Sequence, residues 1–96
     1  MSKKITKTVD GINVSLDPTI FQEWDVFEAM TDNLNPELSD EDRMIAMRKL
    51  ITLLFGNNFN HIKKRLRQLH NGKLSVSDVA EFVSKVAVAF SSESKN

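Results

Sequence analysis

The chain has 96 residues, enough for one small domain with a modest apolar core. It contains no cysteine, which excludes disulfides and thiolate metal sites, and no apolar run approaches the roughly 18 residues of a membrane-spanning helix. With 13 basic and 13 acidic residues the formal net charge is zero, and this balance argues against a dedicated nucleic-acid-binding protein.

The charges are distributed unevenly along the chain. Residues 1–42 contain ten acids and three bases, residues 43–70 contain seven bases and no acid, and the remainder contains three of each. Such asymmetry suits head-to-tail self-association as well as binding of a charged partner. Because the N-terminus has basic residues without an apolar signal core, we expect a cytosolic protein.

The first predicted element is a β-hairpin around Asp10-Gly11, a dipeptide typical of two-residue type I′ turns. Short segments of alternating polarity, residues 4–9 and 12–17, flank this turn and set its register. The apolar side chains that this register places on one side of the hairpin are Ile5, Val9, Ile12, Val14 and Leu16. That side should cover an apolar surface, because an isolated hairpin is marginal in water.

A first helix is predicted from Pro18 to about Asp32, because Asp17 can cap it and proline suits a first helical turn. The large side chains that would share one face of this helix are Ile20, Trp24, Phe27, Met30 and Leu34. We expect Trp24 to be buried between this helix and the next two, so that Trp24→Ala would cost about 3 to 5 kcal/mol of stability. Residues 33–38 are expected to form a loop.

The second helix is predicted to begin at Ser39, whose hydroxyl can cap the amide of Asp42, and to end at Gly56. The apolar residues at three- and four-residue spacing on its core side are Met44, Met47, Leu50, Ile51, Leu54 and Phe55. A third helix follows, with Asn57 or Asn58 as its cap. The short turn between them predicts that the second and third helices pack as a hairpin.

The third helix is predicted to lie on the surface, because a narrow apolar stripe is surrounded by basic residues. That stripe consists of Phe59, Ile62, Leu66 and Leu69. Asn71-Gly72 should end this helix, since both residues accept a positive φ. Ser75 and Asp78 form a capping pair for a fourth helix.

The fourth helix has an apolar face at helical spacing. Its members are Val76, Val79, Phe82, Val83, Val86 and Phe90. Residues 91–96 are polar and are predicted to form a flexible tail. The predicted fold is therefore α+β and mainly α, an N-terminal β-hairpin followed by four helices in a single domain of residues 1–90.

No arrangement of residues in the sequence indicates catalysis or cofactor binding. His61 and His70 have no acids or thiols at metal-ligand spacing. Ser39, Ser75 and Ser77 stand at predicted helix starts, where capping explains them. We therefore expect a non-enzymatic protein with no catalytic residue, no cofactor and no metal site.

The basic residues of the third helix form one candidate binding surface. Lys63, Lys64 and Arg67 project from a short helical length and could contact phosphates. The alternatives are a solvated face and a contact with the acidic first helices. No aromatic residue is interleaved among these cations, so nucleic acid is the less favoured partner, and a small basic-helix nucleic-acid-binding regulator is the alternative function.

Apolar residues that fall off the core face of their helices form a second candidate surface. With successive residues placed about 100° apart, these are Phe21, Ile45, Leu53 and Val88. Several large hydrophobes on different helices favour a partner or a self-association surface, so we expect a homo-oligomer. On this expectation, light scattering across a concentration series should show mass above one chain, and a strict monomer in the wild type and in Leu53→Glu alike would contradict it.

Three features resemble the small tail assembly chaperones of long-tailed, siphovirus-type bacteriophages and prophages of Gram-positive bacteria. The first is the short hairpin with its Asp10-Gly11 turn, and the second is residues 21–29 (FQEWDVFEA), similar to that family's D-W-E-L-L-E helix. The third begins with residues 50–56 (LITLLFG) and leads through Phe59 to a pattern of leucines, glycine and Ser-x-x-Asp-Val over residues 66–79. The resemblance spans most of residues 4–90.

This resemblance implies a protein of the host bacterial cytoplasm that binds the tape measure protein and keeps it soluble while the tail tube assembles. The tape measure protein is a long, helical, aggregation-prone chain. The resemblance also implies contact with the tail tube protein and absence from the mature virion. It further implies a gene between those of the major tail protein and the tape measure protein.

The family also makes a longer second product by a backward ribosomal frameshift of one base near the end of the short frame. Ser94-Lys95-Asn96 can be encoded so that a slippery heptamer, A-AAA-AAC or A-AAA-AAU, precedes the stop codon. The nucleotide sequence checks this expectation. A serine codon that does not end in A, or an AAG lysine codon, would exclude slippage at this site.

Overall fold

The computed structural model describes residues 3–91, in which two strands and four α-helices follow one another. The elements are β1 (Ile5–Val9), β2 (Ile12–Leu16), a 3₁₀ turn (Pro18–Gln22), α1 (Trp24–Leu34), α2 (Asp40–Phe55), a second 3₁₀ turn (Gly56–Asn58), α3 (Phe59–Leu69) and α4 (Val76–Ser91). The predicted class, α+β and mainly α with an N-terminal hairpin followed by four helices, is confirmed. Helix α4 includes Ser91, where the flexible tail was predicted to begin, and the rest of that tail lies outside the described residues.

The hairpin has the predicted register. Val9 pairs with Ile12 and Ile5 with Leu16, and both turn residues, Asp10 and Gly11, have positive φ as a type I′ turn requires. On the inner side Val9, Ile12, Val14 and Leu16 are buried and Ile5 is partly buried. This side covers the apolar core that the helices supply.

The hairpin is attached to α4 at two points. The ammonium group of Lys7 donates to the carbonyl oxygen of Ala89 at 2.9 Å and lies 6.0 Å from the centre of the Phe90 ring. The ammonium group of Lys85 lies 3.1 Å from both carboxylate oxygens of Asp10, and this contact raises the pKa of Lys85. These contacts fix the sheet over the end of α4 that holds the buried Phe90.

The predicted continuous helix from Pro18 to about Asp32 is wrong. Asp17 caps a 3₁₀ turn, accepting from the amide of Thr19 at 3.0 Å, but this turn ends at Gln22. Glu23 is extended, with φ −69° and ψ 137°, and α1 begins only at Trp24. Because one extended residue separates the two segments, the face predicted to run from Ile20 through Trp24 does not exist.

The core face of α1 is consequently different from the predicted one. Val26 and Ala29 are buried, whereas Trp24 is 65% exposed, Phe27 52% and Leu34 75%. The predicted burial of Trp24 is therefore wrong. Of the predicted face, Ile20 and Met30 do pack against the core, partly buried, and the 3₁₀ turn adds Phe21, which was predicted to lie off the core face.

Trp24→Ala is expected to change the free energy of unfolding by no more than about 1 kcal/mol, because the main contact the exposed indole loses is that with the Phe27 ring. Urea denaturation followed by circular dichroism measures the change. Val26→Ala on the same helix is the control, since Val26 is buried and its truncation should destabilise the protein more. A loss of 3 to 5 kcal/mol in Trp24→Ala would contradict the exposed position.

Helix α2 begins and ends as predicted. The hydroxyl of Ser39 accepts from the amide of Asp42 at 3.1 Å, and Gly56 closes the helix with a φ of 55°. The predicted asparagine cap of α3 is wrong, since Asn58 is helical and its side chain makes no capping hydrogen bond. A residue in the helical region cannot present its side chain to the next turn's amides as an extended cap residue does.

Helix α2 packs chiefly against α1, so the prediction that it pairs with α3 is also wrong. Asn33 of α1 donates from its side chain to the carbonyl oxygen of Arg43 at 3.0 Å. The rings of Phe55 and Phe59 stack at 6.0 Å where α2 meets α3. Beyond that junction a cleft separates the two helices.

Most of the remaining apolar faces are buried as predicted. The predicted core residues that are buried are Met47, Leu50, Leu54 and Phe55 of α2, Ile62 and Leu66 of α3, and Phe82, Val83, Val86 and Phe90 of α4. Three predicted core residues are exposed instead: Met44 by 50%, Leu69 by 53% and Val76 by 57%. Each stands near one end of its helix, where no neighbouring element covers it.

The turn between α3 and α4 has the predicted chemistry. Asn71 and Gly72 both have positive φ. The Ser75 hydroxyl accepts from the amide of Asp78, and the Asp78 carboxylate accepts from the amide of Ser75, each at 3.1 Å. This reciprocal pair is the predicted capping box.

Asp78→Asn is expected to lower stability at neutral pH and to weaken the loss of stability in acid. The amide of Ser75, and then its hydroxyl, lowers the pKa of Asp78 in the folded protein. A carboxylate with a lowered folded-state pKa stabilises the fold above its unfolded pKa, and this contribution is lost as the pH falls through the folded value. Thermal denaturation from about pH 7 to about pH 2 measures it. Glu37→Gln, at an exposed loop position, is the control, and unchanged acid dependence in Asp78→Asn would contradict the assignment.

Candidate binding surfaces

The four off-face hydrophobes predicted from the sequence differ in exposure. Ile45 is 61% exposed and Val88 71% exposed. Phe21 and Leu53 are partly buried and pack against the core. Other large exposed hydrophobes were not predicted to be on the surface, namely Trp24, Phe27, Leu34, Met44, Leu69 and Val76.

Phe21 and Val88 line the same groove, which runs between α1 and α4 and has a volume of about 320 Å³. We call it the α1–α4 groove. Its other lining residues are Met30, Asn33 and Leu34 from α1, Met47, Leu50 and Leu54 from α2, and Ala80, Val83, Ser84 and Ala87 from α4. Among these described residues none is charged. The exposed Leu34 and Val88 make the groove an apolar surface that reaches the solvent.

Ile45 and Leu53 lie elsewhere. Ile45 lines a hollow of about 340 Å³ between α1 and α2, together with the acids Glu28, Asp32 and Asp42 and the base Lys49. Leu53 lines a hollow of about 470 Å³ that residues of the hairpin share. The four predicted residues therefore do not form one continuous surface.

A larger cleft of about 660 Å³ lies where α2, α3 and the start of α4 meet, and we call it the α2–α3 cleft. Its apolar lining consists of Met44, Met47, Ile51, Phe59, Val76 and Val79. Arg48 and Lys63 also line it, with Asn57, Asn60, Thr52 and Gly56. No acidic side chain is among these described residues, so the cleft combines an apolar surface with positive charge.

The three predicted cations of α3 are close together in space. Lys63, Lys64 and Arg67 line a shallow hollow of about 470 Å³ with Asn60, Gln68 and Gly72. Lys63 and Asn60 also belong to the α2–α3 cleft, so the two depressions adjoin. Within residues 3–91 none of the three cations forms an ion pair. Their charge is therefore available to a partner.

The outer face of α1 has the opposite charge. The rings of Trp24 and Phe27 pack 5.5 Å apart at a tilt of 41°. Glu28 lies about 40° from Trp24 around the helix axis, and Asp25 and Asp32 follow on the same flank. In the part of the chain that the structure describes, these three acids form no ion pair. We call the surface of Trp24, Phe27 and Glu28 the α1 outer face.

Two other kinds of site are not found among residues 3–91. No three side chains of the metal-ligating types converge there. None of the helices in that range combines the length and the hydropathy of a transmembrane segment.

Comparisons of the chain with models of protein families, with curated proteins and with solved structures find no match. Its function must therefore be inferred from these surfaces and from the sequence features that resemble the tail assembly chaperones.

Proposed function

We propose that this protein is a non-catalytic phage tail assembly chaperone that binds the tape measure protein in the host bacterial cytoplasm and keeps it soluble during tail tube assembly. The observation that supports this proposal most strongly is the α1–α4 groove, which is apolar, reaches the solvent and has no charged lining residue among those described. Grooves of this kind take the apolar face of an amphipathic helix. A long helical tape measure chain presents such faces repeatedly.

Binding in this groove would remove exposed apolar surface from water on both partners. Leu34 and Val88 are 75% and 71% exposed in the free chain, and each Å² of apolar surface buried contributes about 25 cal/mol. A single small groove gives a weak contact, because association itself has an entropic cost. Many copies on one long chain can still bind it tightly through avidity. Weak, repeated and loosely specific contacts suit a chaperone that leaves before the virion is complete.

Co-expression with a tape measure protein tests the proposal, which predicts that such a protein is encoded beside this chain's gene. The wild-type chain should keep the tape measure protein in the soluble fraction and co-purify with it. Leu34→Glu with Val88→Glu should lose both effects, because charges in the groove oppose binding of an apolar helix face.

Leu69→Glu is the matched control, since Leu69 is 53% exposed and lies on α3 outside the groove. Circular dichroism should show that all three proteins are folded. If the groove variant solubilises the tape measure protein as well as the wild type does, this groove is not the binding site. If the wild type itself neither binds nor solubilises it, the proposed function is wrong.

A small nucleic-acid-binding regulator is the second candidate, favoured by the hollow that brings Lys63, Lys64 and Arg67 together. Binding through phosphates weakens steeply as salt rises, because condensed counterions are released. Contact through apolar surface weakens little. Fluorescence anisotropy with labelled duplex DNA and RNA across a salt series separates phosphate binding from apolar contact. Lys64→Ala with Arg67→Ala should abolish binding only if nucleic acid is the partner.

A further inference from the structure

We propose that the α1 outer face of one copy of this chain docks into the α2–α3 cleft of a second copy, so that copies associate head to tail. The two surfaces match in chemistry. One presents an exposed aromatic pair beside acids, and the other is an apolar cleft lined by bases and by no acid among its described residues. The contact joins copies of the chain and does not depend on the tape measure protein.

The aromatic pair is suited to fill the cleft. Trp24 and Phe27 are 65% and 52% exposed although they are large and adjacent, and exposed aromatic clusters of this kind mark interfaces. Met44 and Val76 of the cleft are themselves 50% and 57% exposed. Methionine adapts its shape to an inserted ring and makes favourable contacts with it. The cleft volume of about 660 Å³ lies within the range of pockets that enclose small apolar groups.

The charges on the two surfaces are opposite in sign. Glu28 adjoins Trp24 on the α1 outer face, and Arg48 and Lys63 line the cleft. Within residues 3–91 none of these three side chains forms an ion pair. Lys64 and Arg67 extend the positive surface next to the cleft, as Asp25 and Asp32 extend the negative surface of α1. Surfaces of opposite charge attract each other and so direct association. Two α1 outer faces would repel each other, because both carry negative charge.

The contact must be made between different copies. The side of α2 that faces α1 is marked by the buried Ala46, which lines a hollow with Glu28 and Ala29 of α1. Met44, Arg48 and Ile51 of the cleft lie about 140° to 160° from Ala46 around the axis of α2. No residue of α1 lines the cleft. Since each copy keeps one free face and one free cleft, the association is heterologous and yields either a ring or an open chain.

Two variants test the contact separately. The face variant is Trp24→Ala with Phe27→Ala, and the cleft variant is Met44→Glu with Lys63→Glu. Sedimentation of the wild type over a concentration series should show mass above one chain. Each variant alone should associate about 30-fold more weakly or remain a monomer, as expected when aromatic anchors or their pocket are lost. Lys4→Glu, on the hairpin, is the control for a change of charge and should associate like the wild type.

Mixing the two variants is the decisive experiment. The face variant keeps an intact cleft and the cleft variant keeps an intact α1 face, so the mixture should form a complex of two chains that grows no further. Circular dichroism checks that each variant is folded. If the face variant is unfolded, Glu28→Lys replaces it, and if the cleft variant is unfolded, Arg48→Glu replaces it. A wild type that stays monomeric at all concentrations would overturn the proposal. So would a mixture that stays monomeric while the wild type associates, because a symmetric contact cannot be restored by mixing.

Discussion

Phe90→Ala is expected to lower the free energy of unfolding by about 3 to 5 kcal/mol. The Phe90 side chain is 0% exposed and lies near the end of α4, where the hairpin is attached. Its ring lies 6.0 Å from the ammonium group of Lys7, which donates to the neighbouring carbonyl oxygen of Ala89. Truncation leaves a cavity and removes the surface on which the hairpin rests. A domain of this size has roughly 5 to 10 kcal/mol of stability, so about half would be lost.

Urea denaturation followed by circular dichroism measures this loss, with Phe27→Ala as the matched control. Phe27 is also a phenylalanine on a helix, but it is 52% exposed, and its truncation should cost about 1 kcal/mol or less. Equal destabilisation by the two substitutions would contradict the assignment of Phe90 to the core.

Leu66→Ala is expected to destabilise the protein by about 2 to 5 kcal/mol. The buried side chains of α3 are Ile62 and Leu66, and Leu66 is only 1% exposed. Apart from Phe59 at its start, which stacks on Phe55, most of the remaining surface of α3 is basic or polar, so little else in the helix can compensate. The loss of Leu66 should therefore weaken the attachment of the whole helix.

Leu69→Ala is the comparison for Leu66→Ala, since the two leucines stand three residues apart on α3 and Leu69 is 53% exposed. It should change stability by about 0.5 kcal/mol or less. Amide hydrogen exchange adds a local measurement, because protection in α3 should fall in Leu66→Ala before protection in α4 does. A stable Leu66→Ala protein with full protection of α3 would show that the helix is held by other contacts.

The α1–α4 groove and the α2–α3 cleft share one lining residue, the buried Met47. Because the side chains substituted in the two tests are different, the proposed activities can still be tested independently. A groove variant that loses tape measure binding should still associate with itself. A face variant of Trp24 and Phe27 that no longer associates should retain weak binding of a short helical segment, but it should lose the avidity that comes from many joined copies.

The sequence by itself determined the elements whose chemistry is local. The Asp10-Gly11 turn specifies a two-residue hairpin and hence its register. The Ser39 cap, the positive φ of Gly56 and the Ser75–Asp78 pair follow from side chains that act on amides within three residues, or from a glycine's own backbone freedom. The division of the chain into an acidic and a basic part can also be read directly.

Only the tertiary structure decided which faces of the helices are buried and which helices pack together. The prediction for α1 failed because extended Glu23 interrupts the helix, so the spacing of about 100° per residue does not carry over from Ile20 to Trp24. Packing then sets which side of α1 faces the core, and it is the side of Val26 and Ala29. Trp24 therefore points away from the core, although its spacing from Ile20 is helical. Likewise α2 packs against α1 rather than α3, since helix pairing depends on contacts among all the elements and not on the turn between two of them. The α1–α4 groove and the α2–α3 cleft result from that pairing, and the sequence pattern could not reveal them.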